Sequence, residues 1–125
     1  SEGGKKEEVK IVDPNGYSPY ARIFDESSEF WKKNAELNRL FVQCQQNYCN
    51  NLLLARGHIF LNEVYDMLGF ERTRAGSVVG WVIGEEGDNY VDFGIFEAFS
   101  ARFVNTLERS IVLDFNVDGV IYDKI

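Results

Sequence analysis

A short segment near the C-terminus has the residue types and spacing of a calcium-binding loop. Asp114, Asn116 and Asp118 alternate with apolar residues, and Gly119 follows directly. Carboxylate and amide oxygens at positions one, three and five, followed by a glycine that permits a sharp turn, are typical of an EF-hand loop. Position twelve, where that loop needs a bidentate glutamate, is Ile125. The segment is therefore an incomplete calcium loop.

The same segment also fits a β-hairpin, which we favour. Residues 110–117 alternate apolar and polar side chains, Asp118 and Gly119 form a strong two-residue turn signal, and residues 120–125 can return. In that register Asp114 would lie opposite Asp123, and like charges opposed across a ladder are unfavourable.

Three things could relieve the opposed charges: solvent, an arginine such as Arg102 or Arg109, or a cation. We favour solvent or an arginine. The alternative is a calcium or magnesium site, and its ligands would be Asp114, Asn116, Asp118 and Asp123.

No pair of residues in the sequence has the pattern of a nucleophile with its base. Cys44 and Cys49 are five residues apart in a predicted helix, so their side chains diverge and cannot form a disulfide. Two reduced thiols favour a reducing compartment, and we predict a cytoplasmic location. His58 is the only histidine, and we interpret it as structural. We predict no catalytic residues and favour a non-enzymatic role.

The least usual feature is a stretch without charge. From Leu40 to Ala55 the chain has no Asp, Glu, Lys or Arg, although a solvent-facing helix normally has several. An amide stripe runs along this stretch at i, i+3, i+4 and i+7, and it consists of Gln43, Gln46, Asn47 and Asn50. Two accounts stay open. The helix is covered by its own domain, or the amide stripe binds another protein or a second copy of the chain.

The elements that must position these residues begin with a long helix. Apolar or small residues recur at alternating steps of four and three, which predicts one helical face: Phe30, Asn34, Leu37, Phe41, Cys44, Tyr48 and Leu52. Asp25, Ser27 and Ser28 are candidate start residues, and Asn34 could cap a second helix start. Arg56 followed by Gly57 predicts the end of the helix. A second, short helix is predicted over residues 63–68, with Asn62 as its cap and Gly69 as its end.

Strand patterns dominate the second half of the chain. Residues 77–83 and 90–96 predict two strands joined by a polar turn, residues 103–107 predict a weaker one, and the hairpin follows. We therefore predict an α+β fold in which one long and one short N-terminal helix pack on a C-terminal antiparallel sheet of hairpins. Residues 17–125 would form this single domain, and the charged, glycine-bearing residues 1–16 would be a linker.

Composition excludes some partners. The chain has 125 residues, thirteen Lys and Arg, twenty Asp and Glu, and a net charge of −7. A nucleic-acid-binding protein needs a basic face to neutralise phosphates, and this balance argues against one. No apolar run approaches the roughly 18 residues of a membrane span.

Several motifs resemble those of a known family. They are FLNEVYDMLG at residues 60–69, VGW at 79–81, VDFG at 91–94 and LDFNVDG at 113–119. Together they resemble an uncharacterised domain family of bacteriophages and prophages of gut Firmicutes, over most of residues 17–125. The resemblance implies no activity, cofactor or catalytic residues. Some relatives have apolar N-terminal segments, which implies a membrane tether upstream of this domain, and distant relatives vary around the DxNxDG motif, which weakens the calcium interpretation.

The sequence thus leads to two hypotheses from different classes. The first is a non-enzymatic protein-interaction module of phage or prophage origin, which associates with itself or with another protein and needs no cofactor. The alternative is a domain that depends on a divalent cation, calcium or magnesium, and that acts as a hydrolase through the C-terminal acidic cluster.

Overall fold

The computed structural model describes residues 17–95 and 110–125, and these fold into two helices and two small sheets. Two short 3-10 turns, Ala75–Ser77 and Tyr122–Lys124, complete the described elements. In chain order the helices and strands are β1 (Arg22–Asp25), α1 (Ala35–Arg56), β2 (His58–Phe60), α2 (Leu61–Leu68), β3 (Val79–Val82), β4 (Ser110–Leu113) and β5 (Gly119–Val120).

Both sheets are antiparallel and both are completed by strands from the end of the chain. The first sheet pairs β1 with β4, so that Phe24 lies opposite Ile111. The second has the order β2-β3-β5, with Ile59 opposite Trp81 and Val79 opposite Val120. The α+β prediction is confirmed, with a long helix in the N-terminal half and most of the sheet after it.

Side-chain and glycine caps set the two ends of α1. The helix begins after Asn34 rather than near Asp25, and it ends at Gly57 as predicted. The Oδ1 of Asn34 accepts a hydrogen bond from the backbone N–H of Leu37 at 3.0 Å. At the other end Gly57 adopts the left-handed conformation, with φ at 85°, and its N–H donates to the carbonyl of Leu53 at 2.7 Å. The residues that were predicted to begin the periodic face, Phe30 and Asn34, lie before the helix.

The short helix α2 begins earlier than predicted. It starts at Leu61, and its first turn is capped by Glu63, whose Oε2 accepts from the N–H of Phe60 at 2.9 Å. Asn62 is not the cap. Its side chain is buried and makes two hydrogen bonds with the backbone of Thr73, as donor at 2.9 Å and as acceptor at 3.0 Å. The predicted end is confirmed, since Gly69 has φ at 80°.

The predicted hairpins are not formed among the described residues. Residues 90–95 make no strand, and β4 ends at Leu113 rather than at residue 117. Asp118 and Gly119 do not join two paired strands, because β4 pairs with β1 while β5 pairs with β3. The pairing that would have set Asp114 opposite Asp123 is therefore absent. Linker residues 1–16, the weak strand at 103–107, and Arg102 and Arg109 lie outside the described residues.

The core lies between the inner side of α1, the helix α2 and both sheets. Trp81, Tyr65, Phe24 and Phe93 are its largest fully buried side chains. The Phe24 ring stacks on Phe41 of α1, with ring centroids 5.6 Å apart. Neither helix in the described ranges has the length and apolar content needed to cross a bilayer.

Candidate functional site

Helix α1 has a buried inner side and an exposed outer side. Asn38, Val42, Cys49 and Leu53 are its buried residues. The exposed residues between the two charged ends of the helix occupy an arc of about 140° at 3.6 residues per turn. We call them the outer face of α1, and they are Leu37, Leu40, Gln43, Cys44, Asn47, Tyr48, Asn51, Leu54 and Ala55.

The outer face is uncharged and exposed, and it combines apolar side chains with three amides. Leu37, Leu40 and Tyr48 expose about half of their surface, and Leu54 exposes 72%. A single exposed leucine is ordinary, but several exposed apolar side chains on a face depleted of charge are typical of the centre of a protein interface. The outer face therefore has the composition of a binding surface.

The predicted amide stripe is divided between the two sides of the helix. Gln46 and Asn50 are partly buried and bind the domain's own chain. The Oδ1 of Asn50 accepts from the N–H of Val91 at 2.7 Å, and its Nδ2 donates to the carbonyl of Val91 at 2.9 Å. The Oε1 of Gln46 accepts from the N–H of Phe93 at 2.7 Å. These two amides bind the backbone of Val91 and Phe93 to α1, while the carbonyls of Asp92 and Phe93 accept from the N–H groups of Asn116 and Asp114.

The other two amides of the stripe, Gln43 and Asn47, lie on the exposed outer face. No binding role was predicted for Asn51 or for the three leucines of the outer face, Leu37, Leu40 and Leu54. Their sequence signal is a spacing of alternately three and four residues from Leu37 to Leu54, and the positions at this spacing hold no charge. The predicted periodic face overlaps the outer face only in part, since Leu37, Cys44 and Tyr48 are exposed whereas Phe41 and Leu52 are partly buried.

The candidate calcium-loop residues are engaged in separate hydrogen bonds. The two carboxylate oxygens of Asp114 accept from the hydroxyl and the backbone N–H of Ser18, at 2.6 and 3.1 Å. The carboxylate of Asp118 accepts from the N–H of Val82 at 3.1 Å. Asp123 is exposed on the last 3-10 turn. Each side chain thus faces a different neighbour.

Asn116 connects three parts of the chain through one amide. Its Oδ1 accepts from the indole Nε1 of Trp81 at 2.8 Å and from the N–H of Asp92 at 2.7 Å. Its Nδ2 donates to the Asp88 carboxylate and to the Tyr90 carbonyl, both at 3.0 Å. Both the oxygen and the nitrogen of this amide are therefore used within the fold. In the described residues, no group of three or more His, Cys, Asp or Glu side chains has an arrangement that could hold a metal ion.

The two cysteines differ in their access to solvent. Burial, with a smaller contribution from the negative charge of Glu63, raises the pKa of Cys49 to about 12. Its thiol lies 3.5 Å from the sulfur of Met67. Cys44 is exposed on the outer face of α1, and both cysteines are free. At neutral pH the thiolate of Cys49 is negligible, so Cys44 is the accessible thiol.

His58 lies in β2 and packs edge to face on Phe60, with ring centroids 5.6 Å apart. The nearby carboxylate of Glu63 binds the guanidinium of Arg56 through two hydrogen bonds, at 2.9 and 2.8 Å. This ion pair connects the end of α1 to the start of α2. It stabilises the connection between the two helices.

A family model described as "Family of unknown function (DUF6353)" matches residues 1–125. The chain belongs to DUF6353. This confirms membership in an uncharacterised family, and the family description assigns no activity. No curated protein and no solved structure matches the chain. In this DUF6353 domain, the uncharged outer face of α1 is the described surface with the features of a binding site.

Proposed function

We propose that this domain is a non-enzymatic protein-interaction module that binds through the outer face of α1. The observation that carries the proposal is that all nine positions of the outer face are exposed and none of them holds a charge. Exposing three leucines and a tyrosine there brings no benefit to an isolated domain, whereas covering them removes apolar surface from water.

The composition of the outer face defines the chemistry of its partner. A charged group buried against this face would lose its hydration and meet no counter-charge, which is unfavourable. The amides of Gln43, Asn47 and Asn51 can instead donate and accept hydrogen bonds across an interface. The partner is thus a protein surface of apolar and amide side chains.

We also propose a phage or prophage origin and a place in the cytoplasm of the bacterial host. The origin rests on the resemblance of the motifs at residues 60–69 and 79–81. The location is supported by two free thiols, of which Cys44 is exposed, because an exposed thiol is best kept reduced in the cytosol. A membrane tether upstream rests on the resemblance alone.

Site-specific photo-crosslinking in the native host tests the proposed surface. A benzophenone amino acid replaces Tyr48 on the outer face and, as a matched control, Tyr122, which is 67% exposed on the last 3-10 turn. We expect an adduct at position 48, with a second copy or with another protein, and none at position 122. Adding Leu40→Glu should abolish it, while an unchanged melting curve shows that the fold is kept.

Excess purified domain should compete the adduct away, which separates specific binding from chance capture. The absence of any adduct at position 48 would overturn the proposal. So would an adduct of equal yield at position 122, or one that survives Leu40→Glu in a folded domain.

A further inference from the structure

We propose that the partner of the outer face is a second copy of this chain, with the two α1 helices packed side by side, parallel and in register. This inference rests on the proposed function and names its partner. It follows from the spacing and chemistry of the residues along the middle of the outer face.

The middle of the outer face is a heptad stripe. Its residues are separated by three, four, three, four and three positions, and they are Leu37, Leu40, Cys44, Asn47, Asn51 and Leu54. This is the spacing at which two helices pack knobs into holes, with their axes 8–10 Å apart. The stripe is about 26 Å long at 1.5 Å per residue, which is most of α1. All six residues are exposed, so the stripe faces outward along its whole length.

The stripe is complementary to itself. A twofold contact brings the same patch of two subunits together, so any charge on it would meet a like charge. Here the stripe and its flanking residues Gln43 and Tyr48 are uncharged. The other two amides, Gln46 and Asn50, lie on the inner side of α1 and bind Phe93 and Val91, so they do not compete for the contact.

The amides favour the parallel arrangement. In a parallel pair each residue of the stripe faces its own copy, so that leucine meets leucine and the Asn47 and Asn51 amides each meet an amide. An antiparallel pair would set Asn51 against Leu40, and Asn47 against Cys44. A buried amide that faces an apolar side chain loses its hydrogen bonds to water without replacement. The parallel alignment of two helix dipoles is a smaller cost at an exposed surface.

Disulfide formation between the two copies of Cys44 tests this arrangement in the unmodified protein. In the parallel pair the two Cys44 thiols lie against each other, within the roughly 7 Å between Cα atoms that a disulfide permits. Diamide oxidises them by taking two electrons and two protons as the S–S bond forms. We expect a band at twice the 14.3 kDa of one chain on a non-reducing gel. Cys49 is fully buried and does not contribute.

Two variants make the result specific. Cys44→Ser should lose the covalent band, while light scattering still gives a dimer mass. Adding Leu54→Cys to that variant should restore the band, because position 54 faces its own copy only in the parallel register. In an antiparallel pair it would face Leu37.

The outcomes distinguish this inference from the proposed function. A monomer mass at every concentration, with no covalent band, overturns self-pairing. A dimer that forms no disulfide at either position 44 or position 54 overturns the parallel register. If the purified chain is monomeric and position 48 crosslinks only to another protein, this inference fails while the proposed function stands. If position 48 yields no adduct at all, both fail.

Discussion

Asn50 and Val91 are 41 positions apart in the chain and share two hydrogen bonds. The side-chain amide of Asn50 donates to the carbonyl of Val91 and accepts from its N–H, which is what a neighbouring strand would do. Val91 itself therefore needs no strand partner, whereas the carbonyls of Asp92 and Phe93 accept from the backbone N–H groups of Asn116 and Asp114. At Val91 a helix side chain replaces the ladder.

Removing this amide should destabilise the domain. We expect Asn50→Ala to lower the free energy of unfolding by about 2 kcal/mol, because both backbone groups of the buried residue Val91 lose their partner. Asn51→Ala, on the exposed outer face, is the matched control and should change stability by less than about 0.5 kcal/mol. Urea denaturation of the purified variants measures both. Equal losses for the two variants would contradict the role of Asn50.

The hydrogen bonds of Asn50 also show why the sequence predicted the elements better than their pairing. The end of α1 is set by Gly57 and the end of α2 by Gly69, which are local signals, and both predictions were confirmed. Whether an apolar run such as residues 90–95 pairs as a strand depends on partners far away in the chain. The amides that bind the backbone of Val91 and Phe93 come from α1, and no residue near position 91 in the sequence indicates these bonds.

The turn at Asp118 and Gly119 illustrates the same limit. Locally these residues are a strong hairpin signal. In the structure Gly119 pairs with Gly80 of β3, and the Asp118 carboxylate bonds Val82 of the same strand. The local preference for a turn did not decide the structure, because contacts with β3 determine how Gly119 pairs.

Gly69 should be less tolerant of a side chain than Gly57, although both have a positive φ. An alanine Cβ at Gly69 would collide with the Oγ of Ser28 and lie 3.2 Å from the ring of Phe30. That Oγ donates to the carbonyl of Leu68 at 2.8 Å, so the collision also disturbs a buried hydrogen bond. At Gly57 nothing lies within 4 Å.

We therefore expect Gly57→Ala to cost about 1 kcal/mol, from backbone strain alone. Gly69→Ala should cost at least about 2 kcal/mol, since the collision adds to the strain. Thermal unfolding of the two variants, side by side, gives the difference. Equal costs would show that Ser28 moves aside freely.

Glu63 should make stability depend on pH. Burial raises the pKa of the Glu63 carboxyl. Hydrogen bonds from Arg56 and from the N–H of Phe60 outweigh this effect, so that the pKa lies below its usual value of 4.5. A carboxyl with a lowered pKa in the folded state stabilises the fold fully above pH 4.5, and this stabilisation is lost as the pH falls through the folded-state pKa.

Glu63→Gln should therefore lower the free energy of unfolding by about 1 kcal/mol at neutral pH, through the lost cap and ion pair. Well below pH 4.5 the difference from the unaltered protein should shrink, because the native carboxyl is then also neutral. The exposed residue Glu71 provides the control, since Glu71→Gln should show no such convergence. A difference that stays constant with pH would contradict the assignment.

Calcium and magnesium should leave the melting midpoint unchanged. The carboxylates of Asp114 and Asp118 already accept backbone N–H groups, and both polar atoms of the Asn116 amide are used. A cation at a hundred times its dissociation constant would stabilise the fold by about 2.7 kcal/mol, which a melting curve detects easily. A midpoint that rises with cation, falls with chelator and loses this response in Asp118→Asn would revive the cation-binding alternative.

The two halves of the amide stripe permit a comparison in which only the side of the helix differs. Gln43 and Asn47 lie on the outer face, four residues apart, and Gln46 and Asn50 lie on the inner side at the same spacing. Glutamate at both positions of either pair adds the same two charges to the same helix. Between neighbouring turns of a solvated helix the repulsion costs only a few tenths of a kcal/mol.

On the outer face, glutamate at both Gln43 and Asn47 should dissociate the proposed dimer and leave the domain folded, with a nearly unchanged melting curve. Four carboxylates would otherwise meet in a contact with little water and no counter-charge. The inner pair should act in the opposite way. Glutamate at Gln46 and Asn50 should lower the melting midpoint, because a carboxylate at position 50 cannot donate to the carbonyl of Val91 and both charges would be partly buried. Light scattering and melting curves separate the two effects. An outer pair that leaves the mass unchanged in a folded protein would remove self-association through this face.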